Sequence, residues 1–184
     1  MEADSRREDI HRLGAFLMTV CLFSALALAF TYQVTAPRIE ENRAEMERAA
    51  LQRVIPGAAS FEETRIDNGV AAVENIYSGL RDGVTVGHAI RAVSPGYAGD
   101  VVVMVGIQER AITTVEVLEQ TETPGLGARI TEADFLDGFS GLPADSTAVD
   151  GVIDSIAGAT VSTDAVVEAV GHALKAHENM GEER

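Results

Sequence analysis

Residues 13–37 hold no charged side chain. About 20 apolar residues, rising 1.5 Å each, cross a hydrocarbon core of about 30 Å. The densest part, LGAFLMTVCLFSALALAF, ends at Phe30, and Tyr32 suits the headgroup level. A permanent single-pass anchor, a cleaved signal peptide and a buried core helix are all open readings. Val34-Thr35-Ala36 faintly resembles a cleavage site, but Pro37 would follow the cut and the leading segment is not net positive. So long a run without amphipathic period speaks against a core helix, and the anchor is carried forward. Arg6, Arg7 and Arg12 precede the span while Arg38, Arg43 and Arg48 follow it, so the charge bias is nearly balanced. A short N-terminal tail suits the cytoplasm, which puts the bulk of the chain outside.

The remaining length, out of 184 residues, fits one ordinary domain. A formal charge of −15 argues against nucleic acid, which needs a cationic face, and against adhesion to an anionic bilayer surface. Contact with lipid then goes through apolar burial. The single cysteine, Cys21, lies in the apolar run, so no intrachain disulfide and no CxxC metal site can form.

Residues 1–12 read as a polar tail, 13–36 as a transmembrane helix, 37–56 as a helical stalk that either continues the membrane helix or is an ordinary surface helix, and 57–184 as the domain. Pro37 suits a first helical turn, Glu40 and Glu41 the N-terminal end, and Arg48 and Arg53 the C-terminal end, with Pro56-Gly57 as the stop. Residues 61–74 are weakly patterned. Strands are expected over 74–80 and 84–93 around Asp82-Gly83, then over 101–107 and 111–118. The continuous apolar run Val101-Val102-Val103-Met104-Val105-Gly106-Ile107 marks a buried central strand. Two hairpins make the sheet largely antiparallel, so the fold class is α+β with flanking helices. Thr131-Glu132-Ala133-Asp134 has the form of a capping box, opening a short helix with Phe135 and Phe139 inward. A last helix is expected over about 163–177, with Val166, Val170, Ala173, Leu174 and His177 on one stripe.

Enzyme constellations are missing. There is no G-x-G-x-x-G, no Walker loop and no G-x-S-x-G, and His11, His88, His172 and His177 are scattered. No catalytic residue and no metal ligand is assigned. One stretch stands out: Asp154-Ser155-Ile156-Ala157-Gly158-Ala159-Thr160-Val161-Ser162-Thr163, just before the last helix. A helix N-terminus presents unpaired N–H groups and the positive end of the dipole, so it attracts phosphate. Thr160 is placed to carry a phosphate ester there; Thr160, Ser162 or Thr163 as a plain N-cap is the alternative. Asp154 orients a hydroxyl, binds the metal of a modifying enzyme, or caps a turn. The Thr123-Pro124-Gly125-Leu126-Gly127 loop either lets backbone approach a ligand closely or is a tight turn.

Three separated signatures line up: Gly96-Tyr97-Ala98-Gly99-Asp100 before the apolar strand, Glu122-Thr123-Pro124-Gly125-Leu126-Gly127 after the next strand, and the Asp154–Thr160 element before the last helix. With the N-terminal anchor they resemble the G subunit of Rnf electron-transport complexes, and more distantly the C subunit of the sodium-pumping NADH:quinone oxidoreductase. The resemblance runs from the anchor to the final helix. It implies FMN joined through its phosphate to the threonine of a D-x-x-x-G-A-T motif, here Thr160. A separate flavin transferase, using FAD and a divalent metal, makes the bond and recognises the motif's acid, here Asp154. Gly158, Ala159 and Ser162 belong to the same element, and Thr123, Gly125, Leu126 and Gly127 are expected near the flavin ring. The position before the glycine is often Ser or Thr in that family and is Ala157 here.

The implied function is electron carriage in a membrane-bound, ion-translocating ferredoxin:NAD oxidoreductase. The implied partners are multi-span subunits and flavin and iron–sulfur subunits, and the implied location is the cell membrane with the domain on its extracytoplasmic side. With one span and no intramembrane carboxylate, this chain would not itself be the ion path. A membrane-anchored FMN domain serving as redox sensor or as donor to another reductase is the alternative, and a flavin-free anchor is a third.

Overall fold

The computed structural model describes residues 2–64 and 69–182. It divides into two compact units, Met1–Glu45 and Met46–Arg184. Helix α1 spans Glu2–Val54, with Pro37 inside it. Residues 2–54 of the segments read as tail, span and stalk thus form one helix, with the stalk continuing it through Pro37. An 18-residue window has mean hydropathy 2.3, and none of it is buried. Leu13, Phe16, Phe23 and Leu28 are all exposed, which is not how a core helix behaves. Thr19, Thr31 and Thr35 turn their hydroxyls onto carbonyls four residues back, at 2.8, 2.9 and 2.8 Å. That return leaves the polar atoms satisfied on an apolar helix.

The second unit is built on a five-stranded sheet in sequence order: β1 Ser60–Thr64, β2 Val73–Arg81, β3 Val84–Pro95, β4 Asp100–Gln108 and β5 Ala111–Glu119. Every neighbouring pair is antiparallel, as expected of strands joined by short turns. Strand β1 lies in the stretch where no pattern was legible. In β4, Val101 through Ile107 are all buried, because both faces of the sheet are covered.

On one face, Val101, Val103 and Val105 meet Val166, Val170, Ala173 and Leu174 of the last helix, α3, Thr160–Glu182. Phe139 and Ile130, fully buried, close this core. On the other face, Met104 and Ala89 meet Ala50, Leu51, Val54 and Ile55 at the end of α1. That end is tied down closely. The Thr113 hydroxyl donates to the Val54 carbonyl, taking up an acceptor the helix leaves unpaired. Gly106 lies directly beneath, where a Cβ would overlap that carbonyl oxygen.

Arg91 sits on this same face, only 17% exposed, with Glu74 at 2.6 Å, Glu119 at 3.0 Å and Glu47 at 3.9 Å. Burial opposes its charge, but the Glu74 and Glu119 hydrogen bonds outweigh it and raise its pKa. Tyr77 donates to Glu47 at 2.5 Å. Burial, then the Glu47 carboxylate, push the phenol's pKa up.

Two local expectations are corrected. The capping box does not form: Glu132 is the N-cap of helix α2, Ala133–Leu136, without a side-chain cap, and the Thr131 hydroxyl bonds back to the Ala128 carbonyl at 2.9 Å. A 3-10 turn over Gly127–Thr131 holds Thr131 and leaves it no freedom to cap. Helix α3 begins at Thr160 rather than near 163 and runs on to Glu182. Gly158, at φ +82°, makes the reversal from which it starts.

Candidate functional site

The three signatures come from far apart in sequence and meet at one carboxylate. The β3–β4 turn closes with the Gly96 N–H on the Gly99 carbonyl at 2.9 Å. Beyond β5, the chain dips so that Glu122 is 4% exposed. Its Oε1 accepts from the N–H groups of Tyr97, at 2.8 Å, and Ala98, at 3.2 Å. Its Oε2 accepts the Ser162 hydroxyl at 2.7 Å. So the turn after β3, the loop after β5 and the start of α3 share one anchor.

Close approach dictates glycine at two places around it. A Cβ at Gly127 would come within 2.6 Å of Ser162 Oγ and 2.7 Å of Glu122 Oε2. A Cβ at Gly96 would overlap Glu122 Oε1.

The residues before α3 are bonded just as closely. The Ala159 N–H bonds the Ile156 carbonyl at 2.9 Å, and the Thr163 N–H bonds the Ala159 carbonyl at 2.9 Å. The Thr163 hydroxyl donates to that same carbonyl at 3.1 Å and accepts from the Ile156 N–H at 3.1 Å. Both Ser162 and Thr163 are buried, at 2% and 1% exposure, and their hydroxyls are occupied. Thr160 is exposed.

Between these elements lies a cleft of about 470 Å³, within the range of small-molecule sites. Thr123, Leu126 and Gly127 line one side; Gly158, Ala159, Thr160 and Ser162 line the other. Seven of the nine sequence-expected residues are thus gathered. Gly125, at the apex of its turn, and Asp154, exposed upstream of the reversal, are not in the lining. Tyr97, Glu122 and Val161 complete it and were not assigned. Glu122 and Tyr97 stood inside recognised signatures. Nothing separated Glu122 from the rest of 29 acidic residues, because its burial is a tertiary property.

The lining residues include no Lys or Arg. An anion held here would rest on the α3 N-terminus and on hydroxyls. Tyr97, Leu126 and Val161, exposed by 73%, 45% and 51%, supply apolar surface for a flat ring. The cleft therefore fits FMN: an apolar side for the isoalloxazine and a helix start for the phosphate. Among the described residues, no cluster of three or more His, Cys, Asp or Glu could hold a metal.

A model of the FMN-binding domain matches residues 96–175, which contain the whole cleft, and a model of the RnfG N-terminal region matches residues 1–54. The G subunit of an ion-translocating oxidoreductase complex from Methanosarcina acetivorans is 33% identical over 90% of this chain and 95% of its own length. The G subunit of the Na(+)-translocating ferredoxin:NAD(+) oxidoreductase complex from Acetobacterium woodii is 31% identical over 93% of each chain. In fold, the chain resembles the crystal structure of the C subunit of the Na(+)-translocating NADH-quinone reductase from Parabacteroides distasonis, with TM-score 0.59, 17% identity, and 77% of this chain and 95% of that one covered.

Proposed function

The chain belongs to the family of G subunits of ion-translocating oxidoreductase complexes, and from that premise we propose that it is an FMN-bearing electron carrier in a membrane-bound ferredoxin:NAD oxidoreductase, with the flavin bonded through its phosphate to Thr160. The observation that carries the attachment site is the contrast among neighbouring hydroxyls. Ser162 and Thr163 are buried and engaged, whereas Thr160 is exposed and lines the cleft at the first position of α3.

The absence of basic side chains from the lining supports a covalent tie. A free phosphate here would have the helix N-terminus with a carboxylate beside it and no added charge-assisted bond from an Arg or Lys of the lining. A phosphodiester keeps one negative charge for the helix end to stabilise and cannot dissociate. In its formation, the Thr160 hydroxyl oxygen bonds to the phosphorus on the FMN side of FAD's diphosphate. The bond to the AMP phosphate breaks, AMP leaves with the electron pair, and the hydroxyl proton passes to a base of the flavin transferase. Asp154, exposed and outside the cleft, suits recognition by that enzyme better than contact with the bound flavin. Once attached, the flavin supplies the redox chemistry; the protein supplies position, apolar cover and electrostatics.

The chain is membrane-associated through its apolar helix. We place the domain on the extracytoplasmic side, its partners being multi-span subunits and flavin and iron–sulfur subunits of the same complex, with lipid around the span. Purifying the complex through a tag on this chain tests the reading. Those subunits are expected to co-purify, and Thr160→Ala is expected to leave the assembly intact but without this flavin. A tagged chain that brings down no multi-span subunit would favour a free-standing redox sensor. Val152→Cys, at an exposed position, should react with a membrane-impermeant maleimide in intact cells. Labelling only after lysis would reverse the orientation.

A further inference from the structure

The buried carboxylate of Glu122 lines the cleft beside the start of α3. Its partners, the N–H groups of Tyr97 and Ala98 and the hydroxyl of Ser162, all donate. An ionised carboxylate, which only accepts, is matched by that set. The charge is met by dipoles and by no cationic side chain of the lining. Reducing a flavin adds two electrons and one or two protons to the ring. Where fewer protons than electrons arrive, the ring gains negative charge, and a fixed negative charge in a partly buried cleft opposes that gain.

We propose that Glu122 is a positioning residue that also poises the flavin. Its carboxylate ties the β3–β4 turn to the start of α3 and lowers the midpoint potential of the FMN in the cleft. The proposal rests on the FMN reading above. Ser162 is the moderating partner, because its hydroxyl proton is directed at Glu122 Oε2 and offsets part of the charge.

The test is an equilibrium redox titration of the full chain, flavinylated by co-expression with the transferase, as wild type, Glu122→Gln and Ser162→Ala. In Glu122→Gln, the amide oxygen can keep accepting from Tyr97 and Ala98 while the Ser162 hydroxyl turns to accept from the amide nitrogen. The geometry persists and the charge is gone, so the potential is expected to rise. In Ser162→Ala the charge stays and a compensating dipole goes, so the potential is expected to fall. A general loosening of the cleft would move both variants in the same direction. Unchanged potentials, or shifts of equal sign, overturn the proposal while leaving the FMN reading standing. If Glu122→Gln folds but retains no flavin, Ser162→Ala decides alone, and an unchanged or raised potential there overturns the proposal. Wild-type protein without flavin removes the FMN reading, and this proposal with it.

Discussion

Thr160, Ser162 and Thr163 carry the same functional group within one turn of helix, and their surroundings give them different chemistry. Ser162 and Thr163 are buried and spent holding loop to helix, while Thr160 is exposed at the cleft. The sequence pattern singles out Thr160 but does not show why its neighbours are spent: Ser162 is held by Glu122, forty residues away along the chain, and Thr163 by the Ile156 N–H and the Ala159 carbonyl. Gly158 and Ala159 were legible because a reversal before a helix needs small residues. Glu122 was hidden, because a buried acid and a surface acid look alike in one dimension.

His177 links stability to pH. Burial pushes its pKa below the usual value, with Glu178 opposing and Arg110 adding to the fall. A depressed folded pKa means that the unfolded chain takes up the proton first. Stability is therefore full above the unfolded value of about 6.5 and is lost as pH drops through it. Thermal melts of the full chain should hold steady from pH 8 to about 6.5 and lose stability below it, and His177→Gln should flatten that loss. A wild-type melting temperature that rises as pH falls would contradict the assignment.

Among the elements, those with strong period or composition were legible. The apolar run of β4 announced a strand covered on both faces, and the Asp82-Gly83 turn announced the β2–β3 hairpin, with Asp82 at φ 52° and Gly83 at φ 78°. Strand β1, SFEET, alternates weakly and is largely exposed. It is a strand because it pairs with β2, which no local pattern records. The capping-box motif misled for a similar reason, since the preceding 3-10 turn had already fixed Thr131. The end of α1 is the element most sensitive to a small change. Gly106→Ala would drive a methyl group into the Val54 carbonyl and Thr113. It should cost about 1–3 kcal/mol, the usual range for overpacking, measured by denaturant unfolding of the full chain in detergent. A neutral result would show that α1 is not seated on β4 as described.

For the whole molecule, the division into an apolar segment and an acidic remainder follows from charge placement, and the α+β class of the remainder from its strand runs and turns. One stretch of the chain excludes charge, and the rest carries a net excess of acid. What local patterning could not show is that Gly96–Gly99, Glu122–Gly127 and Gly158–Ser162 converge on one cleft. The antiparallel meander places the turn after β3 and the loop after β5 at the same end of the sheet, with the start of α3 beside them. Their order and separation carried the family resemblance; their convergence supplies its physical reason. We propose that one flavin is held covalently at that convergence. Intact mass of the full chain, co-expressed with the flavin transferase, is the decisive measurement. The wild type should gain the mass of one FMN less water, Ser162→Ala should keep that gain, and Thr160→Ala should lose it. An unmodified wild type, or a gain that survives Thr160→Ala, would contradict the account.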